Sequence, residues 1–144
     1  LRRQRQMCIR DSYMGMKSFG VGISVKSNVE AVEFYKKVFG LETGILDLFP
    51  EGHPYYGAYQ HAELVKDGKV VFCVQSLEHE LYDFDAEKQI INFGVYFDDE
   101  FELREAFNQL SEGGIVKEPF HSEPWSQLCA TVIDKYGISW WISI

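Results

Sequence analysis

At 144 residues with 46% hydrophobic side chains, the chain is long enough to fold around one core without metal or disulfide staples. Cys8, Cys73 and Cys129 have neither metal-ligand nor disulfide spacing, and no apolar run approaches a membrane span or marks a signal peptide; this predicts a cytoplasmic protein with no membrane partner. Of the net charge of −8, residues 1–13 carry +3 through Arg2, Arg3, Arg5 and Arg10 against Asp11, leaving −11 on the remainder, and a fold that acidic repels phosphate backbones, which excludes nucleic acid as its partner.

Residues 1–15 lack periodicity and are expected to be a non-native or disordered leader, with a single domain over 16–144. Phe19, Val21, Ile23 and Val25 then alternate with small or polar residues, the period of a strand. Ser27 and Glu30 have the spacing of a capping box. Ala31, Val32, Phe34, Tyr35, Val38 and Phe39 form an apolar stripe at helical spacing that stops at Gly40. Three strands are predicted at 42–48, 59–65 and 69–76, the last two joined by Lys66-Asp67-Gly68, where Asp-Gly supplies the positive φ angles of a tight hairpin. Residues 49–57 read as a loop and 77–89 as a connector.

The second half repeats the order. A strand is predicted at 91–97 and a helix at 100–112, with Leu103, Ala106, Phe107 and Leu110 on its buried side. A strand at 115–119 precedes a loop holding His121, Pro124 and Trp125, and strands at 128–133 and 138–144 finish the chain. The pattern is β-α-β-β-β twice, an α+β fold of paired βαβββ modules, module one over 17–76 and module two over 90–144, with mixed sheets curved around a cleft. Phe19-Gly20-Val21 recurs as Phe93-Gly94-Val95, an offset of 74, and the helices repeat at about 75.

Alternation assigns the faces of the last strand. Ile138, Trp140, Ile142 and Ile144 fit a helix-packed face, and Ser139, Trp141 and Ser143 fit a cleft face. Gly20 and Gly94 leave room opposite Trp141. The expected ligand-binding set is therefore Gly20, Cys73, Gln75, Gly94, Tyr96, Trp125 and Trp141, an aromatic floor with glycine walls that suits a flat or apolar small molecule. His61 and Glu63 lie two apart on a strand and share a face. They read either as an acid/base pair or two donors to a metal, or as a solvated strand face in cross-strand contact with Lys69 or its neighbours. No third partner is visible in the sequence. His53, His79 and His121 fall in predicted loops and read as surface residues. Cys73 reads as a buried, unactivated thiol.

Three motifs carry a family resemblance. Ala31-Val32-Glu33-Phe34-Tyr35-Lys36-Lys37-Val38-Phe39-Gly40 resembles the first-helix signature of the glyoxalase/bleomycin-resistance, or vicinal oxygen chelate, superfamily. His61-Ala62-Glu63-Leu64 resembles the third strand of its PhnB-like branch. Pro124-Trp125-Ser126 with Asp134-Lys135-Tyr136-Gly137-Ile138-Ser139-Trp140 resembles that branch's C-terminal hairpin. Metal-dependent members keep His or Glu ligands on the first and last strand of each module. Those positions carry over to Gly20, Cys73 or Phe72, Gly94 or Phe93, and Trp141, none of them His, Asp or Glu.

The resemblance thus implies a small-molecule-binding protein without the usual metal site. No cofactor is expected, and a divalent metal enters only through a non-standard site. The alternatives are a metal-dependent lyase, isomerase or dioxygenase with a site relocated to His61, Glu63 and His121, or a dimerisation module. Relatives commonly pair their modules across a homodimer, so a homodimer is expected. Some PhnB-like sequences carry a methyltransferase label, but nothing in this chain resembles a nucleotide-cofactor glycine loop.

Overall fold

The two alternating halves resolve into two four-stranded sheets. The structure, a computed structural model, describes residues 15–77 and 84–144, so most of the leader, His79 and part of the connector lie outside the described residues. In chain order the elements are β1 (Gly22–Val25), α1 (Asn28–Phe39), β2 (Glu42–Leu48), β3 (Tyr59–Lys66), β4 (Lys69–Ser76), a 3₁₀ turn (Ala86–Lys88), β5 (Phe93–Tyr96), α2 (Glu100–Ser111), β6 (Ile115–Glu123), β7 (Ser126–Ile133) and β8 (Ser139–Ser143). The strand orders are β1-β4-β3-β2 and β5-β8-β7-β6. In each sheet the first strand pairs parallel with the fourth, and the other pairs are antiparallel. Both sheets are mixed and neither closes into a barrel, the α+β arrangement of two βαβββ units.

Both helices bury their stripes in one shared core. Ala31, Val32, Tyr35 and Val38 of α1 and Leu103, Ala106 and Leu110 of α2 meet Ile23, Leu64, Phe72 and Val74 of the first sheet and Ala130, Val132, Trp140 and Ile142 of the second. The opposite face of each sheet carries the candidate side chains, and on the second sheet Cys129, Thr131 and Ser143 of that face are themselves buried.

The true repeat is two residues shorter than the Phe-Gly-Val match. The helices open at Asn28 and Glu100, 72 apart. Gly22 pairs with Cys73, and Gly94 with Trp141, so the counterpart of Gly94 is Gly22 and not Gly20. Gly20 precedes β1, because ladder pairing with β4 begins at Gly22 and the backbone contact before it is Cys73 N–H to the Val21 carbonyl.

Several local expectations hold for their stated reasons. Gly40 ends α1 at φ 63°, and Asp67 and Gly68 both take positive φ (50° and 76°) in the β3–β4 turn, as a type I′ hairpin requires. The capping box does not form. Ser27 sits at φ 54° and makes no side-chain cap. The next residue anchors the helix start instead: Asn28, fully buried, donates from Nδ2 to the Tyr59 carbonyl (2.7 Å) and accepts from the Tyr59 N–H (3.0 Å). That pair fixes α1 on the first residue of β3. β6 runs on to Glu123, which places His121 in a strand rather than in the predicted loop.

Candidate functional site

On the face of the second sheet opposite the shared core, the register aligns Gly94, Trp141, Thr131 and Glu118 in one row, with Tyr96, Ser143, Cys129 and His121 in the next. Tyr96 is 74% exposed, and its ring meets Trp141 edge-on at 5.7 Å. A Cβ on Gly94 would lie 3.5 Å from the Tyr96 hydroxyl and 3.7 Å from the Trp141 ring. Glycine thus leaves a shallow step with two aromatic walls, a geometry suited to ring stacking.

Beside this step, an apolar cavity of about 330 Å³ opens between the β1 and β5 edges. Phe39, Phe72, Phe93 and Trp140 form its walls, and Gly94 and Tyr96 stand at its rim. Of the seven residues expected to line a single cleft, Gly94, Tyr96 and Trp141 come together here. Cys73 and Gln75 lie on the other sheet. Gly20 is exposed, and a Cβ at that position would meet nothing within 4 Å. Trp125 occupies the β6–β7 turn and is 72% exposed, whereas the ring that meets Tyr96 is Trp141. The cavity walls were legible only as core, because Phe39, Phe72 and Trp140 belong to the helix-packed side.

The second row ends in a polar cluster. His121 Nδ1 donates to the Pro119 carbonyl (2.8 Å), while Nε2 faces Glu123 (3.1 Å), Glu118 (3.6 Å) and the buried Cys129 sulfur (3.5 Å). The Pro119 carbonyl, followed by the two carboxylates, holds the imidazole above its ordinary value. A raised native value favours folding fully below the unfolded value of about 6.5, and the gain is lost as pH rises through the native value. An NMR titration of His121 is expected to give a midpoint above about 6.5, lowered in a Glu118→Gln, Glu123→Gln double variant. A midpoint at or below the ordinary value would contradict this arrangement.

The corresponding face of the first sheet is polar. Gly22, Cys73 and Glu63 form one row, with Gln75 and His61 beside them. His61 Nε2 faces Glu63 Oε2 at 3.4 Å, and its Nδ1 lies 3.2 Å from the Gln75 side-chain nitrogen. Glu63 Oε1 accepts the Ile45 N–H (3.0 Å) at an irregularity in the β2–β3 register. That bond, then His61, holds the Glu63 carboxyl below its usual range. Cys73 stands directly opposite Glu63, and burial, then the Glu63 charge, pushes its thiol up. The third partner that the sequence did not reveal is Cys73, brought in by cross-strand register, while Lys69 pairs with Lys66 instead. The paired positions Gly22–Cys73 and Gly94–Trp141 carry one thiol and no imidazole or carboxylate. Among the described residues, no helix is long and apolar enough to cross a membrane.

Residues 24–143 match the family model described as 3-demethylubiquinone-9 3-methyltransferase. No curated protein matches the chain. Among solved structures, the chain is similar to a PhnB protein from Bacillus cereus described by the same methyltransferase name, at 24% identity over 88% of this chain and 98% of that one, with a TM-score of 0.74. It is similar to a protein from Pseudomonas aeruginosa at 22% identity over 88% and 97%, TM-score 0.70. It is also similar to a fosfomycin resistance protein from Listeria monocytogenes, complexed with Mn(II) and a dihydroxypropylphosphonic acid, at 11% identity over 90% and 93%, TM-score 0.62. At these identities the likeness is one of fold.

Proposed function

Because this chain belongs to the family described as 3-demethylubiquinone-9 3-methyltransferase, in the PhnB-like branch of the vicinal oxygen chelate superfamily, we propose that it binds a small, flat, partly aromatic molecule on the second sheet. The observation that carries this reading is the Gly94–Tyr96–Trp141 step beside an apolar cavity of about 330 Å³. That volume is at the lower end of the range for small-molecule sites. Stacking on Trp141 and Tyr96 supplies affinity, and the polar groups of the neighbouring row set orientation. The usual metal positions, occupied by Gly22, Cys73, Gly94 and Trp141, support recognition by burial rather than by chelation at those positions.

The methyl transfer in the family's description is not adopted for this chain. The β1–α1 and β5–α2 junctions are Lys26-Ser27 and Phe97-Asp98-Asp99, without the glycines that let a backbone cradle a nucleotide cofactor.

Indole added to the protein is expected to quench tryptophan fluorescence saturably, and Trp141→Ala to abolish that response. An unchanged response in Trp141→Ala would overturn the assignment. The same reading makes the protein a homodimer. Ile45, Leu46 and Leu48 of β2 and Ile115 and Val116 of β6 are exposed on the outer edge strands, and apolar edges of this kind need covering. Sedimentation is expected to give the mass of a dimer for the native chain and of a monomer for Leu46→Asp; a monomeric native chain would contradict it.

A further inference from the structure

The first sheet carries a group of donors that the aromatic step does not use. We infer that His61, Glu63 and Cys73 form a binding site for a borderline divalent metal of the zinc type, held on β3 and β4, of which only Cys73 stands at a strand position that the superfamily resemblance assigns to a ligand. One imidazole nitrogen, one carboxylate oxygen and one sulfur all lie within 4.8 Å of one another, the span a single ion bridges. The donor set of nitrogen, oxygen and sulfur suits Zn(II) or Co(II) and leaves a fourth tetrahedral position open.

The site is also supported from behind. Glu63 Oε1 is tied to the Ile45 N–H, which leaves Oε2 turned toward His61. A Cβ at position 44 would stand 2.8 Å from Glu63 Oε1 and 3.0 Å from Val65 Cγ2, so a larger residue there would push the Glu63 carboxylate out of this tie. The Gln75 side-chain amide lies 3.2 Å from Nδ1 on the other side of His61; with metal on Nε2, Nδ1 carries the proton, and the oxygen end of that amide, turned over, is the one that accepts it. Outer partners of this kind orient ligands and strengthen metal binding.

The test is a Co(II) titration of the reduced, chelator-treated full chain, read by absorption. One Co(II) per chain is expected, with a thiolate-to-cobalt charge-transfer band. Cys73→Ser should lose the band, while Cys129→Ser keeps it. His61→Ala and Glu63→Gln should each weaken binding at least about tenfold, and Gly44→Ala, which displaces the Glu63 carboxylate without removing a ligand, by about 10–100-fold. Melting curves establish that each variant is folded. Absence of the band in the native chain, its persistence in Cys73→Ser, its loss in Cys129→Ser, or unchanged affinity in His61→Ala would each overturn the site.

Discussion

Replacing Asp134 with alanine is expected to lower the unfolding free energy by about 3–5 kcal/mol and the melting temperature by about 10–20 °C. Asp134 closes the β7–β8 turn and is 3% exposed. Its Oδ1 accepts the N–H groups of Tyr136 (2.8 Å) and Ile138 (3.1 Å). Its Oδ2 accepts the Tyr35 hydroxyl (2.6 Å) and the Trp140 indole N–H (2.7 Å). Tyr35 belongs to α1, so this carboxylate ties the first helix to the second sheet across 99 residues of chain.

The Tyr35 ring stacks on Phe39 and meets Phe72 and Trp140. Burial, then the charge of Asp134, pushes its hydroxyl far above the ordinary range, so it remains a donor. Alanine would leave donors stranded in the core, and each buried unsatisfied group costs about 1–3 kcal/mol. Tyr35→Phe removes one donor and leaves Asp134 three, so its cost should stay near the lower end of that range. Chemical denaturation of the three proteins checks the order. A loss under about 1 kcal/mol for Asp134→Ala would mean that this network does not join the two halves.

Gly114→Ala is the second large effect, expected to cost at least about 3 kcal/mol. Gly114 links α2 to β6 beneath the end of β7. A Cβ there would lie 2.2 Å from the Ile133 carbonyl oxygen, 2.9 Å from the Leu110 carbonyl oxygen and 3.2 Å from the Asp134 carbonyl carbon. All three atoms are backbone, so no rotamer change relieves the clash. The strand pair beginning at Ile115 and Ile133 or the last turn of α2 must move. Gly20→Ala is the control: nothing lies within 4 Å of its Cβ position, and its effect should stay within about 0.5 kcal/mol. Thermal melts that rank the two substitutions equally would contradict the close approach at Gly114.

Much of the fold was legible in the sequence because local rules and packing agree there. Helical stripes ending at Gly40, and the Asp67-Gly68 turn between alternating strands, each have one physical solution. Register was not legible. The Phe-Gly-Val match set the repeat at 74, yet strand position is fixed by hydrogen bonds to a partner, and those align Gly22 with Cys73 and Gly94 with Trp141. Ser27 has the composition of a cap, but a left-handed backbone leaves it without a cap bond. Pro119 read as the end of a strand, whereas β6 is an edge strand, where a missing N–H is tolerated. The grouping of Cys73 with His61 and Glu63 depends on a cross-strand pairing that no spacing within one strand reveals. Which sheet each expected residue joins was not legible either: the strand orders put Cys73 and Gln75 on the first sheet and Gly94, Tyr96 and Trp141 on the second.

Binding on the second sheet is tested most directly by nitrogen–proton correlation spectra of labelled protein titrated with indole. Saturable shifts are expected at the Gly94 and Tyr96 amides and at the Trp141 indole N–H, while the Trp125 indole and the Gly22 and Gln75 amides stay in place. An unchanged spectrum, or shifts confined to Gly22, Gln75 and their neighbours on the first sheet, would contradict it.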